Sequence, residues 1–223
     1  MYFSIEITID MIIKLLPYIK STLFIAVLGF ICAFILAIFI SIITYLKVPI
    51  LAQLVSIYIS FNRSIPVLSQ LYLVFYGMPQ IWEQLTEIAP MYFLIAVLAT
   101  TQSSFIAETL RGAFLSISKG QLEAGLSCGM TKIQTIKTVI FPQVFRISFP
   151  GMSNTFIGMI KGTSVGFTIG VMELMSKSKN LGMRGYRLLE SYVAVSLIYW
   201  ALVIVASQIQ KRIEHKLDAP YVK

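Results

Sequence analysis

Two cations lie within long apolar stretches of this sequence, and their chemistry suits the binding of a small anion such as a carboxylate. Arg63 and Lys161 each lie about 13 residues, or roughly 20 Å along a helix, from one end of their stretch, which predicts a shared level. Neither has an obvious carboxylate partner at that depth, and an unpaired charge in an apolar layer is costly. A ligand carboxylate is therefore a sensible counter-ion. The alternative is that both cations are hydrated in a path or bound to carbonyl oxygens.

The residues next to these cations support the same hypothesis. Pro66 pushes Ile65 out of the helical region, so the stretch that contains Arg63 must be broken there. A break exposes the first N–H groups of a half-helix, and this positive end favours an anion. The hydroxyl side chains beside the two cations are predicted to lie on the same path: Ser64, Thr163 and Ser164.

Glu108 and Arg111 form a second charged group. They are three residues apart on a predicted helix, so they face the same way and can pair. Counted from a helix start near residue 90, Glu108 lies about 27 Å along the axis, close to one boundary of a bilayer. We interpret the pair as an inner gate or a subunit contact. The alternative is that Arg111 extends to the boundary and meets Glu108 incidentally.

Membrane helices must position these residues. Hydrophobic residues make up 57% of the 223, charged residues 13%, and the mean hydropathy is +0.81, which is outside the usual range of soluble domains. A helix needs roughly 20 mostly apolar residues to cross a bilayer. We predict an all-α integral membrane protein, with residues 1–223 in a single domain. Its five spans are predicted at about 22–46, 50–77, 90–111, 148–171 and 190–209.

Basic residues near the span ends predict the orientation. Arg111 to Arg146 carries five basic residues against one acid, and Lys211 to Lys223 carries four against two, so both segments belong in the cytoplasm. The N-terminus is then outside and the C-terminus cytoplasmic. The loop 173–190 disagrees, because it would carry four basic residues outside. The net charge of +8 reflects this topology, so we predict no nucleic acid partner.

A polar segment at about 117–146 interrupts the apolar pattern. Ser118 with Gln121, and Thr131 with Gln134, have the spacing of capping boxes and predict two short helices. Gly129 is placed to stop the first helix.

The second helix of this hairpin is predicted to end at Pro142. Ile133, Ile136 and Ile140 fall on one face of it, so the helix is amphipathic and needs a partner for that face. The chain's own membrane helices could cover it, and so could another protein. A DNA-binding helix-turn-helix is disfavoured, because its recognition helix would be held within about 15 residues, or roughly 23 Å of helix, of a span.

The hairpin resembles the EAA loop of ABC importer permeases. That loop has Glu-Ala-Ala, a Gly six residues after the Glu, and a hydrophobic residue before Pro; here these are Glu123-Ala124-Gly125, Gly129 and Phe141-Pro142. Gly125 replaces the second Ala, a change that costs a helix about 1 kcal/mol.

Further motifs resemble the polar amino acid branch of these permeases, and they occur in the right order over most of the chain. Arg63-Ser64-Ile65-Pro66 is similar to its Arg-Gly-Thr-Pro, Ala107 to Gly112 contains its Glu-x-x-Arg-Gly, and Lys119-Gly120-Gln121 is similar to its Lys-Gly-Gln. Lys161-Gly162-Thr163-Ser164 resembles a stretch that has Asp in place of Gly162.

The resemblance implies a type I ABC importer permease fold in the cell membrane. It implies as partners a second permease subunit, identical or related, cytoplasmic ABC ATPase subunits, an extracytoplasmic amino acid-binding protein and membrane lipid. By the same resemblance, the residues that dock on the ATPase are Glu123, Ala124, Gly125, Gly129 and Pro142. The sequence has no G-x-x-x-x-G-K-[ST] loop, so ATP must be bound by another chain, and no cofactor is predicted.

The sequence favours some substrates and functions over others. The segment from Glu190 to Trp200 resembles cystine permeases, which suggests L-cystine, while glutamine, basic and other sulfur-containing amino acids stay open. An enzyme is disfavoured, because the single histidine is His215 in the tail and no Asp lies in any predicted span. The alternative is a secondary transporter or channel without ATP coupling, although neither needs a polar hairpin and we find no paired repeats.

Overall fold

The computed structural model describes residues 3–46 and 48–219, and every regular element in these ranges is helical. Lys223, which belongs to the basic tail, lies outside the described residues. The α-helices are α1 (Ile5–Leu15), α2 (Ile19–Leu46), α3 (Leu51–Ser64), α4 (Val67–Tyr72), α5 (Pro90–Ser116), α6 (Lys119–Ser127), α7 (Lys132–Thr135), α8 (Phe141–Gly162), α9 (Leu174–Gly185) and α10 (Leu188–Asp218). Two π-helical turns, Leu73–Gly77 and Ile136–Ile140, and short 3-10 segments connect them.

Three helical runs in the described part of the chain are long and apolar enough to cross a bilayer: Ile5–Thr44, Pro90–Ser116 and Leu188–Asp218. A fourth crossing is possible by Lys132–Ile169 together with Leu174–Gly185, which are bent by 50°. The expectation of an all-α, multi-pass membrane protein is confirmed. The number of five spans and the orientation of the termini stay predictions.

The first apolar helix begins much earlier than the predicted residue 22. Ile5–Thr44 contains 40 residues, about 60 Å of helix, which is twice the roughly 30 Å thickness of the hydrocarbon core. Its first part, α1, packs against the start of α10, where Met11 and Leu15 are buried with Ala194 and Ile198. This contact extends the bundle beyond α2.

The core of the bundle lies between α2, α5 and α8. Leu94, Leu98 and Ile106 of α5 are almost fully buried there. Close approaches occur at glycines: a Cβ at Gly29 of α2 would lie 3.2 Å from Met159 Sδ, and one at Gly151 of α8 would lie 2.6 Å from Thr109 Cγ2. Small residues at these crossings let the backbones approach, as is typical of helix packing in membranes.

The polar hairpin turns at Gly129, as predicted. Gly129 has φ +81°, and its N–H donates to Leu126 O (3.0 Å) while Met130 N–H donates to Gly125 O (3.1 Å). This is a Schellman motif, in which glycine avoids the penalty of left-handed backbone. The hairpin therefore has a defined turn.

The two helix starts in the hairpin are capped in different ways. Thr131 and Gln134 form the predicted capping box, with both reciprocal hydrogen bonds present. Ser118 Oγ instead accepts from the N–H of Gly120 (3.3 Å), so the helix begins as expected but its box with Gln121 does not form.

Pro142 does not end the second hairpin helix, so that prediction is wrong. The chain continues from α7 through the π turn Ile136–Ile140 into α8, and Pro142 lies in the first turn of α8. Proline has no N–H to donate, and the wider π turn just before it accommodates that loss without a break. Hairpin and membrane helix are thus one continuous helical run, Lys132–Ile169.

Candidate functional site

The second predicted span is broken at Ile65, as its proline predicts. Ile65 has φ −101° and ψ 134°, between α3 and α4. Pro66 cannot donate to the carbonyl of Asn62, four residues earlier. Gln70 Nε2 takes its place, donating to Asn62 O (3.2 Å) and Ile65 O (2.9 Å). The break is therefore satisfied inside the fold.

Gln70 also ties this break to α5. Its Oε1 accepts from Thr101 Oγ1 (2.9 Å), and both side chains are 5% exposed. Tyr58 lies one turn before Asn62 on α3, and its hydroxyl donates to the carbonyl of Thr100 on α5 (2.9 Å). Sequence reasoning missed these residues, although an amide four positions after the proline was a usable signal. α4 is only six residues long, so its start gives no support to the predicted anion site.

Glu108 lies between two arginines. Its pairing with Arg111 occurs as predicted, with Oε2 2.9 Å from Arg111 Nη2, and the same oxygen is 3.7 Å from Arg63 Nη1. Arg63 also lies over the ring of Phe105, 5.6 Å from its centroid. The prediction that Arg63 lacks a carboxylate partner is wrong, because the partner comes from α5. One acid shared by two cations leaves this cluster with a net positive charge.

Lys161 lies at a different place, near the end of α8. It borders a cavity of about 480 Å³ together with Ser164 and, from α10, Tyr192 and Ser196. The residues described around that cavity include no acidic side chain. Here the structure agrees with the expectation of a cation without a carboxylate partner.

The two cations do not share one level, which corrects the prediction. Gly162, next to Lys161, faces Leu98 of α5, because a Cβ added there would lie 3.3 Å from Leu98 Cδ2. The guanidinium of Arg63 instead lies beside Phe105 and Glu108. These residues follow Leu98 by about 10–15 Å along α5 at 1.5 Å per residue. Helices that start at different heights made the count from their ends misleading.

The hydroxyl side chains of the predicted path also separate. Ser64 is exposed. Ser164 borders the Lys161 cavity and donates to Lys161 O (2.7 Å). Thr163 is fully buried and donates to Ile160 O (2.9 Å), and it is not among the residues that line the Lys161 cavity.

A buried glutamate that sequence reasoning missed, Glu173, lies between the 3-10 segment Thr163–Ile169 and α9. Glu173 is fully buried and caps α9, accepting from the N–H groups of Met175 (2.9 Å) and Ser176 (2.8 Å). It also accepts from the Tyr199 hydroxyl of α10 (3.0 Å). These bonds tie α9 to α10 beside the Lys161 cavity.

Three of the four basic residues in the loop 173–190 have partners in the fold. Lys177 lies over the ring of Tyr18 (5.1 Å), Lys179 over that of Phe167 (4.9 Å), and Arg187 pairs with Glu190 (3.0 Å). These contacts hold three of the loop's basic residues in the fold, and the side of the membrane on which the loop lies stays a prediction.

The hairpin presents a small exposed surface on α6 and α7. Glu123, Ala124 and Leu126 are exposed, and Ile133 is 77% exposed. Gly125 is buried and packs closely on Thr135. A Cβ added at Gly125 would lie 2.3 Å from Thr135 Cγ2. The replacement of the family's second Ala therefore permits this close packing.

The predicted apolar face of the second hairpin helix is divided. Ile133 is exposed, whereas Ile136 and Ile140 pack into the hydrophobic core between the helices. The chain's own helices cover part of that face and leave its tip open.

Comparisons with known proteins agree on one family. The sequence profile described as "Binding-protein-dependent transport system inner membrane component" matches residues 29–219. The "Probable amino-acid permease protein YxeN" of Bacillus subtilis (strain 168) is 38% identical over 216 residues, 97% of this chain and 96% of that protein. The "L-cystine transport system permease protein TcyL" of the same organism is 32% identical over 207 residues, 91% and 87% of the two chains. The "Crystal structure of an amino acid ABC transporter with histidines" aligns with a TM-score of 0.84 and 25% identity, covering 97% of this chain and 100% of that chain.

Proposed function

Because this chain belongs to the binding-protein-dependent transport system inner membrane components, as a permease of an amino acid ABC importer, we propose that a separate cytoplasmic ATPase drives it through the hairpin 117–146. The chain is a multi-pass protein of the cell membrane and a transport subunit, not an enzyme. The observation that carries the proposal is the helical run Lys132–Ile169. It joins the hairpin directly to Lys161, so a displacement of the hairpin moves the residues beside the cavity.

The exposed tip of the hairpin is the proposed docking surface. Glu123 offers a carboxylate to a basic residue of the ATPase, and Ala124 is small enough for close approach. Leu126 and Ile133 add apolar area that nothing in the described chain covers. Gly125 and Gly129 shape this tip, the first through its contact with Thr135 and the second through its left-handed turn. Pro142 lies in the continuous helix, so we assign it to the connection and not to the contact.

The Lys161 cavity is the proposed contact for the substrate carboxylate. Among the described residues, no carboxylate lies within ion-pair distance of the Lys161 ammonium group, and Ser164, Ser196 and Tyr192 offer hydroxyl groups around the cavity. Arg63 lies at a separate site beside Ser64, where it pairs with Glu108. We assign this site, together with Arg111, to the gate or the subunit contact. A substrate would meet these two places in succession.

L-cystine is the amino acid that we propose for this importer. Support comes from the name of TcyL, which matches over most of both chains, and from the Glu190 to Trp200 segment of α10. Tyr192 and Ser196 of that segment border the Lys161 cavity. An external binding protein delivers the amino acid, and a second permease subunit, identical or related, completes the path.

Reconstitution tests this function. The chain is purified with whichever ATPase, permease and binding protein accompany it, placed in proteoliposomes, and supplied with radiolabelled L-cystine. We expect uptake that requires ATP and the binding protein. Uptake of equal rate without ATP would establish the alternative, a secondary transporter. ATP-driven uptake of glutamine or a basic amino acid in preference to cystine would overturn the substrate assignment alone.

A further inference from the structure

A groove unrelated to the Lys161 cavity runs between α2, α8 and α10. Its volume is about 550 Å³. Its walls are aromatic and aliphatic, with Phe30 and Phe34 from α2, Phe149 and Phe156 from α8, and Val205 from α10. Ser153 and Gln210 are the only polar residues described around it. A polar amino acid would lose its hydration there without gaining partners, so the groove is not a place for the transported substrate.

The groove has the length of a lipid chain. Its lining on α8 runs from Phe145 to Ile160, about 22 Å of helix at 1.5 Å per residue. One leaflet contributes about 15 Å of the roughly 30 Å hydrocarbon core. An extended acyl chain therefore fits within the groove along its axis.

One end of the groove has a net positive charge. Ile209 and Ile213 of α10 border it, and Arg212 and Lys216 follow them by three residues, on the same face of the helix. Glu214 also lies at this end, where it accepts a hydrogen bond from the groove-lining Gln210 (2.8 Å). Among the described residues, no carboxylate lies within ion-pair distance of either cation. On α8, Arg146 at this end is paired with Asp218 (3.8 Å).

The charge at this end argues against a second copy of the chain as the occupant. Two identical permeases related by a two-fold axis would bring the same face together. A face with a net positive charge would then meet an identical face, and like charges in contact are unfavourable. Two concave grooves facing each other would also leave a void. An anionic group on a flexible apolar chain avoids both problems.

We propose that the groove between α2, α8 and α10 holds an acyl chain of an anionic phospholipid whose headgroup binds Arg212 and Lys216. Clusters of basic residues next to a membrane helix attract anionic lipids in this way. The bound lipid fills the space between the helix that continues the hairpin and the last helix of the bundle, so its presence stiffens their contact.

Tryptophan quenching tests the proposal in the full chain. Phe149→Trp places a reporter in the groove, in a background with Trp82→Phe and Trp200→Phe. The matched control keeps Trp200, which is 65% exposed on α10 outside the groove lining, and carries only Trp82→Phe. Both proteins are reconstituted in vesicles of unlabelled phosphatidylcholine with increasing brominated phosphatidylglycerol, and in a second series brominated phosphatidylcholine is mixed with unlabelled phosphatidylglycerol.

We expect the groove reporter to prefer phosphatidylglycerol at least about fivefold, the contribution of one cation near a membrane surface. The Trp200 reporter should show little preference. Arg212→Gln with Lys216→Gln should remove the preference at the groove without changing the Trp200 signal. Equal quenching by both lipids at the groove would overturn the proposal, and so would a reporter that neither lipid quenches, because protein would then fill the groove.

Native mass spectrometry of the unaltered chain provides a measurement that does not depend on the reporter. We expect retained phosphatidylglycerol after delipidation, and its loss in the Arg212→Gln, Lys216→Gln variant. Retention that is equal in both proteins would contradict the assignment of the headgroup site.

Discussion

Glu108 of α5 accepts hydrogen bonds from Nε and Nη2 of Arg111 on its own helix and lies 3.7 Å from Arg63 on α3. A single carboxylate thus joins the first half of the broken segment to the central helix. The Glu108 side chain is 24% exposed and both arginines are about half exposed, so the pairs add about 1 kcal/mol or less to the free energy of unfolding. The pairs matter for the relative position of the helices, because the contact between Arg63 and Glu108 forms only when α3 and α5 have this alignment.

The first prediction concerns this triad. Glu108→Gln keeps the shape of the side chain but leaves two guanidinium groups side by side, so we expect uptake to fall severalfold while thermal unfolding changes little. Arg111→Gln, which breaks only the contact within α5, should have a smaller effect than Arg63→Gln. Normal uptake by Glu108→Gln in an intact assembly would instead mean that Arg111 extends to the membrane boundary and meets Glu108 incidentally.

The second prediction concerns the proline break. Gln70→Leu leaves the Asn62 and Ile65 carbonyls and the Thr101 hydroxyl without their partner in an apolar layer, which should destabilise the chain by about 2–3 kcal/mol. Gln80→Leu is the matched control, since Gln80 makes one exposed bond to Tyr76 O. Unfolding in detergent with increasing denaturant measures both variants. An equal midpoint for the two would show that the Gln70 bonds add nothing.

The third prediction concerns the packing of the hairpin. Gly125→Ala puts a Cβ 2.3 Å from Thr135 Cγ2, so α6 must move away from α7, at a cost of about 1–3 kcal/mol. Gly120→Ala lies in the same helix and meets only Ser118 Oγ at 3.6 Å, so it should be neutral or slightly stabilising. Hydrogen exchange over residues 117–146 compares them. Protection that is unchanged in Gly125→Ala would argue against the tight contact.

The fourth prediction concerns coupling to the ATPase. Glu123→Lys reverses the charge on the exposed tip, and Gly129→Val forces a β-branched residue into left-handed backbone at roughly 1–2 kcal/mol. Both variants should insert in the membrane but lose substrate-stimulated ATP hydrolysis. Gly129→Asn is the control, because asparagine tolerates this conformation and should retain most of the stimulation. Normal uptake by both Glu123→Lys and Gly129→Val would remove the hairpin from the coupling mechanism.

The fifth prediction concerns the Lys161 cavity. Lys161→Gln removes the proposed partner of the substrate carboxylate, so the substrate concentration at half-maximal uptake should rise about tenfold, as expected for the loss of one charged hydrogen bond. Basal ATP hydrolysis should stay the same. Lys179→Gln, which removes a cation that lies over Phe167 outside this cavity, is the control. An unchanged concentration dependence in Lys161→Gln would refute the contact.

Several features of this protein follow from the sequence alone, because they depend on residues a few positions apart. Apolar runs predicted a multi-pass membrane protein, Pro66 predicted the break at Ile65, and Gly129 predicted the hairpin turn. Thr131 and Gln134 formed their capping box for the same reason. Motif resemblance then identified the permease family.

Tertiary structure alone decided how the helices are offset and rotated against one another. Counting from predicted helix ends placed Arg63 and Lys161 at one level, yet packing on α5 separates them, because helices in a bundle do not start at a common height. The bond between Gln70 and Thr101 joins residues 31 positions apart. Pro142 stays within a helix because the π turn before it absorbs its missing N–H, an option that local preference does not reveal. The offset of the two cations and the bond between Gln70 and Thr101 arise from packing between distant segments, so no short stretch of sequence encodes them.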